Sequence, residues 1–319
     1  MWQAVDDLAY YSVVTASAEW AVPGCPAAVR DVMSSTLASA ASKDEITSNL
    51  DLCEPLPLYL QEGSLQLLVD EISMVVMYTC ALFFVFLFFV FLFCVCHASP
   101  VATLNMQNYP PGPSSSLSQA CRTFTSALGS SWQVLAAFLK GFSVDSKSAV
   151  CYNISLQLPS GANATVSSGD WSGVGSGNDG SSWDFETCSL LIERISTNNV
   201  TDMFLPRTFT LDWLMAHCKS RFNIEPQPRL LADLWGFDVQ RLPHVTDHIV
   251  FTNGLNDGWS AGGITANLSD TILAFNAATG AHHSDLSHNW PSSSDTADVL
   301  LMRQQVASVI TAWIQELKQ

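Results

Sequence analysis

Two short apolar runs near the C-terminal end, each stopped by a Gly/Asn-rich turn, constrain the fold of this chain more than any other feature. His248-Ile-Val-Phe-Thr-Asn253 ends at Asn-Gly, and Thr271-Ile-Leu-Ala-Phe-Asn276 ends shortly before Gly280. Runs of this length, bounded by turn signals, read as buried strands. A last segment, Asp295 to Lys318, places Val299, Met302, Val306, Val309, Ile310 and Trp313 at helical steps of three and four, which predicts an amphipathic helix with that face buried. Ser294 or Asp295 is suited to cap it. Strand, loop, strand, loop and helix in this order make an α/β pattern. The preceding chain reads as mostly helical, with Ala27–Ala41, Leu65–Ile72 and one long helix over Ala120–Phe142, interrupted by a Pro/Ser loop at 107–119 and a polar loop at 156–182. The boundary between the two parts falls near Pro243.

Each strand is followed by a residue suited to acid–base chemistry. Asp257 lies in Thr252-Asn-Gly-Leu-Asn-Asp-Gly-Trp-Ser-Ala-Gly-Gly263, and His282 lies in Ala278-Thr-Gly-Ala-His-His-Ser-Asp-Leu286. In a hydrolase sheet of α/β type, the triad acid and base sit on loops after late strands, in chain order Ser, Asp, His. Histidine suits the base because its charge changes near working pH. The plainer readings are that Asp257 is a turn residue and that His282-His283 is a surface pair. Adjacent histidines point to different sides of an extended chain, so the pair alone is a poor metal site. On pattern alone both readings stand. Gly258-Trp-Ser260-Ala-Gly262 matches G-x-S-x-G, but a nucleophile elbow needs a strand before it and a helix directly after it. Here the string overlaps the acid loop, and Gly262-Gly263 is a poor helix start.

Charge narrows the function further. Thirteen basic and 29 acidic residues give a net charge of −16, which repels phosphate backbones and argues against nucleic-acid binding. Nine cysteines, at 25, 53, 80, 94, 96, 121, 151, 188 and 218, show no CxxC pair and no zinc spacing; wide scatter suits disulfides in an oxidising compartment. Four sequons, at Asn153, Asn163, Asn199 and Asn267, agree with a glycoprotein. The first twenty residues have no basic n-region and carry Asp6 and Asp7, unlike a signal peptide. The expectation is therefore that the true N-terminus is missing.

Ile72 to Cys96 is 25 residues long without a charge, and Ala81–Phe93 holds seven of the 17 phenylalanines. Length makes it a candidate membrane span. The nearest lysine and arginine, Lys43 and Arg122, are too distant to orient one. A second reading is a gene-model insertion, since Phe, Leu, Val and Cys share U-rich codons that a translated pyrimidine-rich intron would supply.

The segment His248–Gly263 resembles the acid loop of the lysosomal Pro-Xaa carboxypeptidase and dipeptidyl peptidase II family, which reads as apolar strand, Asn-Gly, two residues, Asp, Pro, Trp, Ser, then glycines. Gly280-Ala-His-His-Ser-Asp-Leu286 resembles that family's Gly-Ala-His-His-Leu-Asp-Leu, at a matching separation of 25 residues. Weaker landmarks are Trp2–Leu8, Asn108-Tyr-Pro110, Trp183–Cys188 and Asp202–Phe204. The resemblance implies Asp257 as acid and the first histidine, His282, as base. Gly258 replaces the usual proline, which should loosen the loop. The family's Gly-Gly-Ser-Tyr-Gly-Gly elbow has no counterpart string in the 319 residues.

The resemblance also implies an architecture. The C-terminal part of an α/β-hydrolase fold would join a mostly helical, disulfide-linked cap, with residues 1–20 a remnant of the hydrolase domain, 21–243 the cap with an apolar insertion at about 75–100, and 244–319 the segment carrying Asp and His. It implies bridges Cys25–Cys121, Cys53–Cys151 and Cys188–Cys218, with a fourth family bridge lost at about Tyr11 and Ser196. The first two join residues on either side of the apolar run, which a single membrane span would separate; the insertion is therefore the favoured reading. The implied activity is serine-type exopeptidase cleavage beside proline, acting on peptide ends, at either the amino or the carboxy terminus, with no metal or organic cofactor. The family resemblance further implies a lysosomal, vacuolar or extracellular location and a homodimer. Without the serine, this chain is expected to be inactive alone. The rival readings are a membrane-anchored, non-catalytic binding protein and a truncated, non-functional gene product.

Overall fold

A computed structural model describes residues 6–39, 43–52, 104–126, 128–142, 151, 181–192, 194–235, 238–286 and 291–318. The apolar run, Cys53, Asn153 and Asn163 lie outside the described residues.

The first half is a helical layer. α1 (Ala9–Ala21), α2 (Cys25–Ala38), α3 (Lys43–Asn49), α4 (Ser116–Thr125) and α5 (Ser131–Phe142) surround one apolar cluster. α1 buries Tyr10, Tyr11, Val14 and Ala18, spaced to share one side of a helix, and it stops ahead of Pro23-Gly24, where Gly24 takes φ +84°. Cys25 at the start of α2 is bonded to Cys121 in α4, as the resemblance implies. Cys151 is also disulfide-bonded; Cys53, its expected partner, is outside the described residues.

The single helix expected over 120–142 is two. α4 is started by the Ser115 hydroxyl, which accepts from Ser118 N, and it ends at Ser126. Gly129 then turns the chain at φ +149°, in the region that favours glycine. The two pieces fold back on one another, which lets Phe124 and Phe138 meet at 4.8 Å between ring centres. Apolar spacing continues through the break, so periodicity alone did not reveal it.

α6 (Ser181–Ser189) and α7 (Leu211–Phe222) form a second unit, joined by Cys188–Cys218 around Ile192, Phe209 and Leu214. Thr210 caps α7 by accepting from Trp213 N, and Asn223 ends it in the left-handed conformation. At the expected site of the lost fourth bridge, Ser196 N donates to Asp7 O at 2.7 Å, and Tyr11 packs edge-on against Phe204. Backbone pairing and a buried ring thus occupy the place where a covalent link is expected by resemblance.

After short helices α8 (Leu230–Trp235) and α9 (Leu242–Val245), two strands form a parallel pair: β1 (Ile249–Gly254) and β2 (Ile272–Ala277), in register Ile249 with Ile272 through Gly254 with Ala277. Parallel strands require a crossover, and the crossover here carries the acid loop. β1 is half-exposed rather than buried, because among the described residues the sheet has only two strands. α10 (Ala297–Glu316) packs on β2 through Val299 and Met302, against Ala277. Its expected apolar face is fully buried only at that end: Val306, Val309 and Trp313 are half-buried, with the Trp313 ring 4.9 Å from that of His248, and Ile310 is 44% exposed. Its N-cap is Thr296, without a side-chain cap bond, not Ser294 or Asp295. Asp295 is instead engaged by Arg303 and by the Tyr109 hydroxyl.

Candidate active site

β1 and β2 deliver their following loops to the same edge of the sheet. The two loops are bonded to each other before any functional side chain is considered. Leu255 N donates to Ala277 O, and Asn256 N donates to Gly280 O at 3.0 Å. Gly254 permits this approach: a Cβ there would lie 2.5 Å from Ala281 O, so the position requires glycine.

At the tip of the first loop, Asp257 is 6% exposed. One carboxylate oxygen caps a 3₁₀ turn, Gly258–Gly262, by accepting from Trp259 N at 3.1 Å. The other oxygen lies 2.8 Å from His282 Nδ1. A carboxylate only accepts, so this contact places the proton on Nδ1 and leaves the Nε2 lone pair for a further partner. The imidazole is more accessible than the acid, with side-chain exposures of 23% and 9%. This is the arrangement acid–base work needs: a buried acid orienting a base that substrate can reach.

Several bonds hold the base loop. His282 N donates to Met106 O at 3.0 Å. Thr279 donates through its N and Oγ1 to the two oxygens of Asp298, at 2.7 and 2.6 Å. Burial pushes the Asp298 carboxyl up, but the Thr279 and Thr296 bonds outweigh it and hold the group below the ordinary value. His283 takes φ +54° and tilts its ring over His282 at 3.8 Å. Burial, and then the neighbouring His282, push its pKa down.

Ser260 lies inside the 3₁₀ turn that Asp257 caps. That turn follows a loop rather than a strand, and no helix starts between it and β2, so the G-x-S-x-G string does not form an elbow. Of the sequons within the described residues, Asn267 is exposed and its Oδ1 accepts from Ala274 N; Asn199 is half-buried at φ +57°.

Sequence reasoning overlooked the groups that bond the backbone on either side of Asp257. Ser17 Oγ in α1 donates to Asn256 O at 2.9 Å, across 239 residues. Asn105 bonds residues on both sides of Asp257. Their only signal is three-dimensional. It also overlooked a second Asp–His pair. Asp184 in α6 is fully buried, 2.9 Å from His217 Nε2 and 2.6 Å from Arg221, and Trp213 stacks on His217. Cys188 lies within reach of this cluster, but its sulfur is in a disulfide, so it offers no thiolate to a metal. The cluster is a buried ion-pair network joining α6 to α7.

Comparison with known proteins finds relatives of the chain. Residues 99–306 match the model of a family described as Serine carboxypeptidase S28. Lysosomal Pro-X carboxypeptidase of Mus musculus is 33% identical over 135 residues, 41% of this chain and 26% of that protein. The Homo sapiens protein of that name is 32% identical over 136 residues, again 26% of its length. Prolyl carboxy peptidase like protein 5 of Caenorhabditis elegans is 30% identical over 153 residues, 46% of this chain and 30% of that protein. The matched stretch thus spans about a quarter to a third of these curated relatives.

Proposed function

The chain belongs to the serine carboxypeptidase S28 family, a family of serine-type peptidases, and on that premise we propose that Asp257 and His282 are the acid and base of its catalytic triad. The observation that carries this is the 2.8 Å contact between His282 Nδ1 and Asp257 Oδ2, made by loops that leave neighbouring parallel strands. In the reaction, His282 Nε2 takes the proton of a serine hydroxyl as that oxygen attacks the scissile carbonyl. Asp257 keeps the proton of Nδ1 in place and stabilises the imidazolium. The same nitrogen then gives its proton to the departing amine, and repeats the cycle with water to release the acyl group. His282 rather than His283 is the base, because it is the His282 Nδ1 that meets the Asp257 carboxylate.

The substrates are peptides with proline near a terminus, a reading supported by the names of the mouse and human relatives. Residues 244–319 act as the C-terminal hydrolase segment, 21–243 as a cap limiting access to chain ends, and 1–20 as the remnant of the hydrolase domain. The disulfides Cys25–Cys121 and Cys188–Cys218 support an oxidising location, lysosomal, vacuolar or extracellular. Cys25–Cys121 also argues against a single membrane span at 72–96, which would put those two cysteines on opposite sides. Among the described residues no helix is long and apolar enough to cross a membrane.

The 319 residues contain no Gly-Gly-Ser-Tyr-Gly-Gly string, and Ser260 is not a substitute. A fluorophosphonate probe, which labels activated serines, tests both halves of the proposal. The 319-residue chain remains unlabelled. A longer transcript product that includes the elbow is labelled, and His282→Ala abolishes the labelling. Attachment of the probe to Ser260 in the 319-residue chain would overturn the proposal.

A further inference from the structure

We propose that Asn105 is a positioning residue for the acid–base pair, holding Asp257 in register with His282 by gripping the backbone on both sides of the acid. The inference rests on the acid–base reading above. Asn105 is fully buried. Its Nδ2 donates to Asn256 O at 2.5 Å, and its Oδ1 accepts from Gly258 N at 3.1 Å. These are the two residues flanking Asp257. The chemistry fixes the amide's orientation: a peptide N–H can only donate, and a peptide carbonyl can only accept. A donor and an acceptor on one short planar group are therefore needed here. Leucine supplies neither, and aspartate supplies only the acceptor.

The neighbouring residue grips the base. Met106 O accepts from His282 N at 3.0 Å, and Met106 Sδ accepts from Trp259 Nε1 at 3.1 Å. Two consecutive residues thus touch the loops of both the acid and the base. Three residues on, the Tyr109 hydroxyl accepts from Thr296 N at the start of α10. Gly258 completes the grip from the other side. A Cβ there would lie 2.8 Å from the Tyr10 ring and 3.0 Å from Val14 Cγ2, so the backbone carrying the donated N–H sits flush against α1. Moving Asp257 away from His282 would strip hydrogen bonds from buried groups, which is costly. The grip therefore sets the 2.8 Å contact rather than merely accompanying it.

The test uses the full chain and needs no peptidase activity. An Nδ1–H held by a carboxylate gives a far-downfield proton resonance that exchanges slowly with water. Its assignment to His282 is made by its loss in His282→Gln, and its dependence on the acid by its loss in Asp257→Asn. Asn105→Ala loses the resonance while the circular dichroism spectrum is unchanged. Asn108→Ala keeps it. Asn108 is equally buried, and its side-chain atoms have no hydrogen-bond partner among the described residues. Should Asn105→Ala fail to fold, the near-isosteric Asn105→Asp gives the readout, because it keeps the acceptor and removes the donor. Retention of the resonance in a folded Asn105 variant overturns the inference. So does its equal loss in Asn108→Ala, which would mark a general packing effect. Absence of the resonance from the unsubstituted protein would instead sink the acid–base reading itself, so the two failures are distinguishable.

Discussion

Restoring the family's proline at position 258 should destabilise this protein rather than tighten it. Sequence resemblance alone suggests that Gly258 loosens the acid loop. In the structure Gly258 is closely confined: its N–H donates to the buried Oδ1 of Asn105 at 3.1 Å, and a Cβ would meet Tyr10 Cε2 and Cζ at 2.8 Å. Tyr10 is fully buried and packs edge-on against Tyr11 and Trp259, at 5.0 and 5.4 Å between ring centres, so it has little room to give. Overpacking of this kind costs about 1–3 kcal/mol. Removing the N–H strands the Asn105 oxygen, at about 1–3 kcal/mol. Against these stands the lower entropy of an unfolded chain with one more proline, about 0.4–1 kcal/mol. Asp257 already has the extended backbone, φ −96° and ψ 130°, that a residue before proline prefers, so no further cost arises there. The net expectation for Gly258→Pro is a loss of about 3 kcal/mol, read as a lowered urea midpoint. The double variant Gly258→Pro with Asn105→Ala isolates the hydrogen-bond part: Asn105→Ala should cost at least about 1 kcal/mol less in that background than alone. A Gly258→Pro protein as stable as the parent, or more so, would refute the reasoning and restore the loosened-loop view.

Asp184→Asn should cost roughly 3 kcal/mol in chemical denaturation, because Arg221 and His217 lose the carboxylate between them; a loss under about 1 kcal/mol would show that the cluster is dispensable. Replacing Cys188 and Cys218 with serine opens a link across 30 residues, and the lost loop constraint predicts about 3–4 kcal/mol of destabilisation, measured by thermal unfolding. The Asp298 carboxyl is held below its ordinary value of 3.8 in the folded protein, so its ionised form favours the fold. That stability is fully present above the unfolded value and is lost as pH falls through 3.8 toward the folded one. An Asp298→Asn variant should therefore lose less stability than the parent between about pH 5 and about pH 3; parallel pH profiles for the two proteins would contradict this.

The parts of the fold legible in the sequence are those that depend on local chemistry. The strands announced themselves because apolar runs stop at Asn253-Gly254 and before Gly280, and the structure begins and ends β1 and β2 within a residue or two of those limits. Asp257 and His282 stood out because each lies shortly after its strand, but pattern alone left a turn residue and a surface pair open, and it was the family resemblance that singled them out as acid and base. What failed was judgement about burial. The sequence marks Ile310 and Trp313 as one apolar face of α10, but periodicity identifies a face without naming what covers it, and Ile310 remains exposed. The break between α4 and α5 was missed for a similar reason: Gly129 changes the direction of the chain while the apolar spacing on either side stays in phase.

The groups that fix the geometry of the pair were illegible for a stronger reason. Ser17, Asn105 and Met106 lie 239, 151 and 153 residues from their partners Asn256, Asn256 and Trp259, and none stands in a motif. A buried amide looks, in sequence, like any other asparagine; it becomes informative only when the backbone groups it satisfies are known. α1 makes the point most directly. Tyr10 and Val14 abut Gly258, and Ser17 bonds Asn256, so one helix packs against both neighbours of the acid. The acid–base pair is thus built from two adjacent loops but set by a helix near one end of the sequence and a short segment at 105–106. Substitutions in α1 that preserve its helicity but enlarge Val14 or remove the Ser17 hydroxyl therefore act on Asp257, without touching any residue that a motif would single out.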